Sequence, residues 1–179
     1  MNYRNPKLAI GVGLGLLSPL PIVAHATVYL SEDQAVQLMF PSEKLARKEI
    51  TLTPEQKSAI EKTSGETVRS TKLIAYVAPN KDTVFIDQVL GKHEFITIAV
   101  GVAADGSVRG IEILEYRETY GSQVRTPEWR QQFVGKNASA TLKVNSDIKN
   151  ISGATLSSVH VTGGVRRLIK TYESLRAQL

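Results

Sequence analysis

Two periods of hydrophobic and polar residues divide the chain. From about residue 71 to 116 apolar side chains alternate with polar ones or run in short apolar stretches, and beyond residue 158 they recur every three to four positions. The first pattern predicts strands and the second a long amphipathic helix. Residues 71–77, 83–90, 95–103 and 107–116 are rich in Val, Ile, Phe and Tyr and read as four strands at least. Pro79-Asn80-Lys81-Asp82 forms a turn between the first two, and Ala104-Asp105-Gly106 a tight hairpin between the last two, so the sheet is largely antiparallel. In the third strand Ile96, Ile98, Val100 and Val102 share one face, and Phe95, Thr97 and Ala99 share the other. Both faces therefore need cover, which helices must supply.

The final helix provides one cover. Val161, Val165, Leu168, Tyr172, Leu175 and Leu179 form its apolar stripe, with Arg166, Arg167, Lys170 and Glu173 off it. Two shorter helices precede the sheet. Ser31-Glu32-Asp33-Gln34 and Thr53-Pro54-Glu55-Gln56 each put a capping hydroxyl three residues before a reciprocating Gln. These helices extend to about Phe40 and Lys62. A further short helix over residues 127–134 stacks Trp129 on Phe133 at i,i+4, and a polar stretch follows to Asn150. The fold class is α+β: an antiparallel sheet of four or more strands packed on a long C-terminal helix, with short N-terminal helices. Residues 27–179 read as a single domain with its core over 70–179.

The N-terminus follows a different logic. Arg4 and Lys7 precede an apolar run over 8–17, Pro19 and Pro21 break it, and Ala24-His25-Ala26 offers the small residues a signal peptidase reads. Residues 1–26 are expected to be a signal peptide cleaved before Thr27, which places the mature chain in the periplasm or otherwise outside the cytoplasm. An uncleaved membrane anchor is the alternative.

Composition narrows the chemistry. With no cysteine, the chain can hold neither disulfides, thiolate metal sites nor iron–sulfur clusters on its own thiols. His25, His93 and His160 lie far apart, which argues against a histidine metal centre. Any redox chemistry falls to an organic cofactor. The net charge of +5 includes no block of like charge, so no nucleic-acid partner is expected. Lys44 to Lys48 and Arg166, Arg167 and Lys170 are read as solvated helix faces, His93 as a strand-end and His160 as a helix-surface residue, Trp129 as core and Asp105 as part of its turn.

The segment Asn150-Ile151-Ser152-Gly153-Ala154-Thr155-Leu156-Ser157-Ser158 stands where the last helix must begin. It fits a Ser/Thr-rich helix cap. On the residues alone that is the simpler reading; a phosphate cradle is the other, because free N–H groups and the positive end of the helix dipole favour an anion that Gly153 and Ala154 are too small to exclude. No P-loop lysine follows, which argues against nucleotide hydrolysis.

Ser152-Gly153-Ala154-Thr155-Leu156-Ser157 resembles the S/T-G-A-T-x-S/T signature of the FMN-binding domain family that carries covalent flavin. Upstream, Glu118-Thr119-Tyr120-Gly121 stands for that family's E-T-P-G, followed by Trp129, Phe133, Gly135 and Lys136 in the order of its W-x-x-x-F-x-G-K. Tyr120 replaces the usual Pro, Ser122-Gln123 a Leu-Gly, and no acid lies six residues before Thr155, the nearest being Asp147. The resemblance covers roughly residues 73–175. It implies FMN esterified through its phosphate to Thr155 by a separate flavin transferase. Gly153, Ala154 and the N–H groups of Leu156 and Ser157 would then cradle the phosphate, and Ser152 would cap or orient. Glu118, Thr119, Tyr120 and Gly121 would lie near the flavin ring, with Tyr120 stacked on it. The implied protein is an electron carrier rather than a stand-alone enzyme, working with a cytochrome, a reductase or a membrane redox complex. A non-covalent FMN-dependent reductase and a cofactor-free anion-binding module remain open as alternatives.

Overall fold

Residues 27–179, which the computed structural model describes, build a six-stranded antiparallel sheet clasped between helices on its two faces. In chain order the elements are β1 (Thr27–Val28), α1 (Glu32–Met39), β2 (Ala46–Thr51), α2 (Pro54–Ser64), β3 (Lys72–Val77), β4 (Thr83–Leu90), β5 (Phe95–Val102), β6 (Val108–Tyr116), α3 (Pro127–Arg130) and α4 (Thr155–Leu175). Across the sheet the order is β1-β6-β5-β4-β3-β2. The expected signal segment, residues 1–26, lies outside the described residues. Among the described residues no helix is long and apolar enough to cross a membrane.

The two faces have separate cores, as the alternation along β5 predicts. Ile96, Ile98, Val100 and Val102 join the stripe of α4 in the larger core, whereas Ala99 joins Ala35, Met39 and Phe40 beneath α1. Each fully buried Val, Leu or Ile on that stripe contributes about 1.5–3 kcal/mol by leaving water. Close approach is possible because Gly164 faces the sheet: a methyl there would collide with Val89, and Ile98 lies 3.1 Å away. Both capping boxes are formed, at Ser31/Gln34 and Thr53/Gln56. Asp105 accepts from the amide and hydroxyl of Ser107, fixing the β5–β6 turn.

Three readings of charged residues need correction. Residues 46–51, whose basic members suggested a helix face, form the edge strand β2, paired along its whole length with β3. Arg47, Lys48 and Glu49 are exposed on it, and charges on an edge discourage pairing with other chains. On α4 the basic residues are not simply solvated. Arg167 is buried, with its guanidinium 2.5 Å from Asp87 and bonded to the Thr67 carbonyl, Arg166 pairs with Glu66 at 2.5 Å, and Lys170 donates to the Ala138 carbonyl. His160 is half-buried rather than on the helix surface, and its Nδ1 is buried without a partner among the described residues.

Topology gathers several chain ends at one pole of the molecule. Phe95 pairs with Leu90 and Ile96 with Tyr116, so the β4–β5 hairpin tip and the exit of β6 are neighbours. Thr27 lies opposite Tyr116, so the chain also enters the sheet at this pole.

The Arg167–Asp87 pair ties α4 to the sheet, and removing one partner strands a buried charge. Asp87→Ala is expected to lower the unfolding free energy by about 3 kcal/mol, read from urea denaturation. An unchanged midpoint would contradict the assigned role.

Candidate functional site

The site is assembled by the hydroxyl of Tyr116, the last residue of β6. It donates to the Tyr120 carbonyl at 2.6 Å and lies 2.9 Å from Ser157 Oγ. A phenol has one proton, so with that proton on Tyr120 the serine hydroxyl is the donor of the second bond. Burial pushes the Tyr116 phenol above its ordinary value and keeps it protonated. The loop after β6 is thereby bonded to the first turn of α4, 41 residues later in sequence.

Gly121 makes the contact possible. Its φ is +99°, and a Cβ there would lie 2.5 Å from both hydroxyl oxygens, so a side chain is excluded by backbone conformation and by space. The helix start is built by another tight turn, with Gly153 at φ +80° and the Ala154 N–H donating to the Ile151 carbonyl. Ala154 is the N-cap of α4, and no side chain among the described residues caps the helix. α1 and α2 each carry a complete capping box, whereas the 21-residue α4 leaves its leading N–H groups without side-chain partners among the described residues. Such a terminus suits an anion. Ser152, expected to cap or orient, is exposed and does not cap the helix.

In front of this terminus lies a cavity of about 390 Å³ lined by Lys92, Tyr120, Gly121 and residues 153–157. Its size falls within the range of small-molecule sites. Thr155, Tyr120 and Leu156 face it as exposed side chains, with Tyr120 82% exposed. The structure thus brings together Gly153, Ala154, Thr155, Leu156 and Ser157 from one motif with Tyr120 and Gly121 from the other. Thr119 and Ser152 lie outside the lining.

Glu118 is directed elsewhere. Its Oε1 accepts the N–H groups of His93 and Glu94, at 2.5 and 3.0 Å, closing the β4–β5 hairpin tip. Burial disfavours its charge, yet the amides of Glu94, His93 and Lys92 prevail and hold the carboxyl below its ordinary value. This contact sets Lys92, which no sequence motif singles out, at the cavity.

The approach to the site is also pinned. The Trp129 indole N–H donates to the Lys149 carbonyl, and the Lys149 N–H to Gln132, both at 2.8 Å. Trp129 and Phe133 meet edge to face at 5.0 Å, as their i,i+4 spacing predicts. Asp147 braces its own loop by accepting from Leu142, Lys143 and Lys136.

Comparison with known proteins agrees with this geometry. Residues 91–170 match the FMN-binding domain family. The match runs from the hairpin tip that carries Lys92 into the last third of α4 and contains both motifs, so the resemblance that they carry is borne out. The chain is also 34% identical over 89 residues to a subunit of the Na+-translocating ferredoxin:NAD+ oxidoreductase complex of Acetobacterium woodii. The aligned part covers 45% of this chain and 43% of that relative.

Glu118 has a depressed folded pKa, so its stabilising effect is present above the ordinary carboxylate value and is lost as pH falls through that value to the lower folded one. Replacing it by Gln is expected to flatten the acid side of the pH–stability profile in this window. Equal slopes for the two proteins in denaturation series below pH 5 would contradict the assignment.

Proposed function

We propose that this chain is an exported electron-transfer flavoprotein carrying FMN esterified through its phosphate to Thr155. The observation that carries the reading is the uncapped terminus of α4. Thr155 is its first residue, and it faces a cavity shared with Tyr120 and Gly121 within a segment of the FMN-binding family. The residues suit each part of the group. The leading N–H groups of α4 meet phosphate oxygens, the absent side chain of Gly153 leaves room for them, and Tyr120 and Leu156 offer apolar area to the ring. When bound, FMN supplies one- or two-electron transfer, and the protein contributes its position and the charge around it.

The ester keeps the cofactor on a protein that works outside the cytoplasm, where a dissociated flavin would be lost by dilution. Its partners in this reading are a flavin transferase during maturation and a redox complex afterwards. The A. woodii relative, a subunit of an oxidoreductase complex, supports the second of these. Either fate of residues 1–26 is compatible with the site. Cleavage after Ala26 frees a mature N-terminus at Thr27, and an uncleaved segment would tether the domain at the pole where Thr27 pairs with Tyr116.

Intact-mass measurement on protein co-produced with a flavin transferase tests both parts. The expected species begins at Thr27 and carries one FMN less one water, and the addition is absent from Thr155→Ala. A flavin that is present in the native protein but lost on denaturation would replace the ester with non-covalent binding, and a species retaining residues 1–26 would replace cleavage with an anchor.

Lys92 places a cation in the cavity, where it offsets the negative charge that reduction adds to the cofactor. Lys92→Met is therefore expected to lower the midpoint potential of the loaded protein in a spectroscopic redox titration. An unchanged or raised potential would remove Lys92 from this role.

A further inference from the structure

Attachment of FMN requires a particular oxygen to be presented outward in a particular direction, and a threonine hydroxyl on the first residue of a helix is free to rotate about χ1. In this structure it is held. Asn150 Nδ2 lies 3.0 Å from Thr155 Oγ1 and donates to it across the turn that Gly153 and Ala154 close. The backbone of the preceding residue is clamped on both sides, by Trp129 and by Gln132, so the amide projects from a fixed base. The other end of the amide is unusual. Asn150 Oδ1 is buried and has no hydrogen-bond partner among the described residues. A buried acceptor left unpaired costs about 1–3 kcal/mol. The amide also works in both senses: turned by 180°, it would accept the Thr155 proton through Oδ1, with the same two residues in contact.

Resting on the covalent reading above, we infer that Asn150 is the positioning residue for flavin attachment, orienting Thr155 Oγ1 toward the incoming flavin dinucleotide. In that step Oγ1 attacks the phosphorus of the FMN half of FAD. The Oγ1–P bond forms as the bond from that phosphorus to the bridging oxygen breaks, and AMP departs with the bridging oxygen. The hydroxyl proton leaves toward the open side, where the transferase supplies the base. Nothing is oxidised or reduced. The amide contact fixes the rotamer from which the attack begins, and orientation of this kind changes rates strongly.

The test is the rate of FMN attachment to the purified chain by a flavin transferase with FAD and Mg2+, followed by in-gel flavin fluorescence over a range of chain concentrations. Asn150→Leu keeps the side chain's size and removes its hydrogen bonds, while Asn150→Ala guards against a packing failure specific to leucine. Each variant that melts within a few degrees of the wild type is expected to show a maximal rate lower by about tenfold, because the nucleophile is no longer oriented. The half-saturating chain concentration should stay unchanged. A folded variant labelled at the wild-type maximal rate overturns the inference. So does a raised half-saturating concentration at an unchanged maximal rate, which would make Asn150 a docking residue. Both outcomes leave the covalent reading intact, whereas wild-type chain that takes up no FMN overturns that reading and this inference together.

Discussion

The hydrogen bonds that converge on the Tyr116 hydroxyl are the constraint on which the site depends. Through one oxygen the end of β6 is joined to the Tyr120 carbonyl and to Ser157 in the first turn of α4. This joint fixes the loop at 118–121 against the helix start at 155. Gly121 belongs to the same device, because any side chain there would occupy the position of the two hydroxyls. Thr155 and Tyr120 themselves remain exposed at the cavity.

Electrostatics and capping complete the arrangement. The two short helices cap their own N-termini with capping boxes. α4, the longest helix among the described residues, does not, and its leading N–H groups front the cavity. A terminus left open in this way is stabilised by an anionic group, and a phosphate diester is such a group. The Glu118 carboxylate, two residues before Tyr120, accepts hairpin amides that stabilise its charge and order the turn that presents Lys92.

Much of the fold was legible in local sequence. The capping boxes, the β5–β6 hairpin, the two faces of β5 and the stripe of α4 as far as Leu175, where the helix ends short of Leu179, each depend on residues a few positions apart, and each forms as read. What was misread depends on distant partners. β2 is short, charged and exposed, and only its pairing with β3 makes it a strand. Arg167 resembles a surface residue until Asp87, 80 positions earlier, reaches it. The candidate site followed the same rule. The two motifs named the helix start and the loop, but the phenol that joins them, the lysine beside them and the asparagine behind Thr155 carry no local signature. Ser152, which does carry one, caps nothing in the structure.

The central claim is that Thr155 Oγ1 and a flavin phosphate share a bond. Phosphorus NMR of the purified, denatured, flavin-loaded protein tests it directly, because a phosphodiester lacks the second ionisation that a phosphomonoester undergoes near neutrality. The account predicts one protein-bound resonance whose shift stays constant between pH 5 and 8. A resonance that moves through this range, or one that leaves with a small molecule on gel filtration, would contradict it.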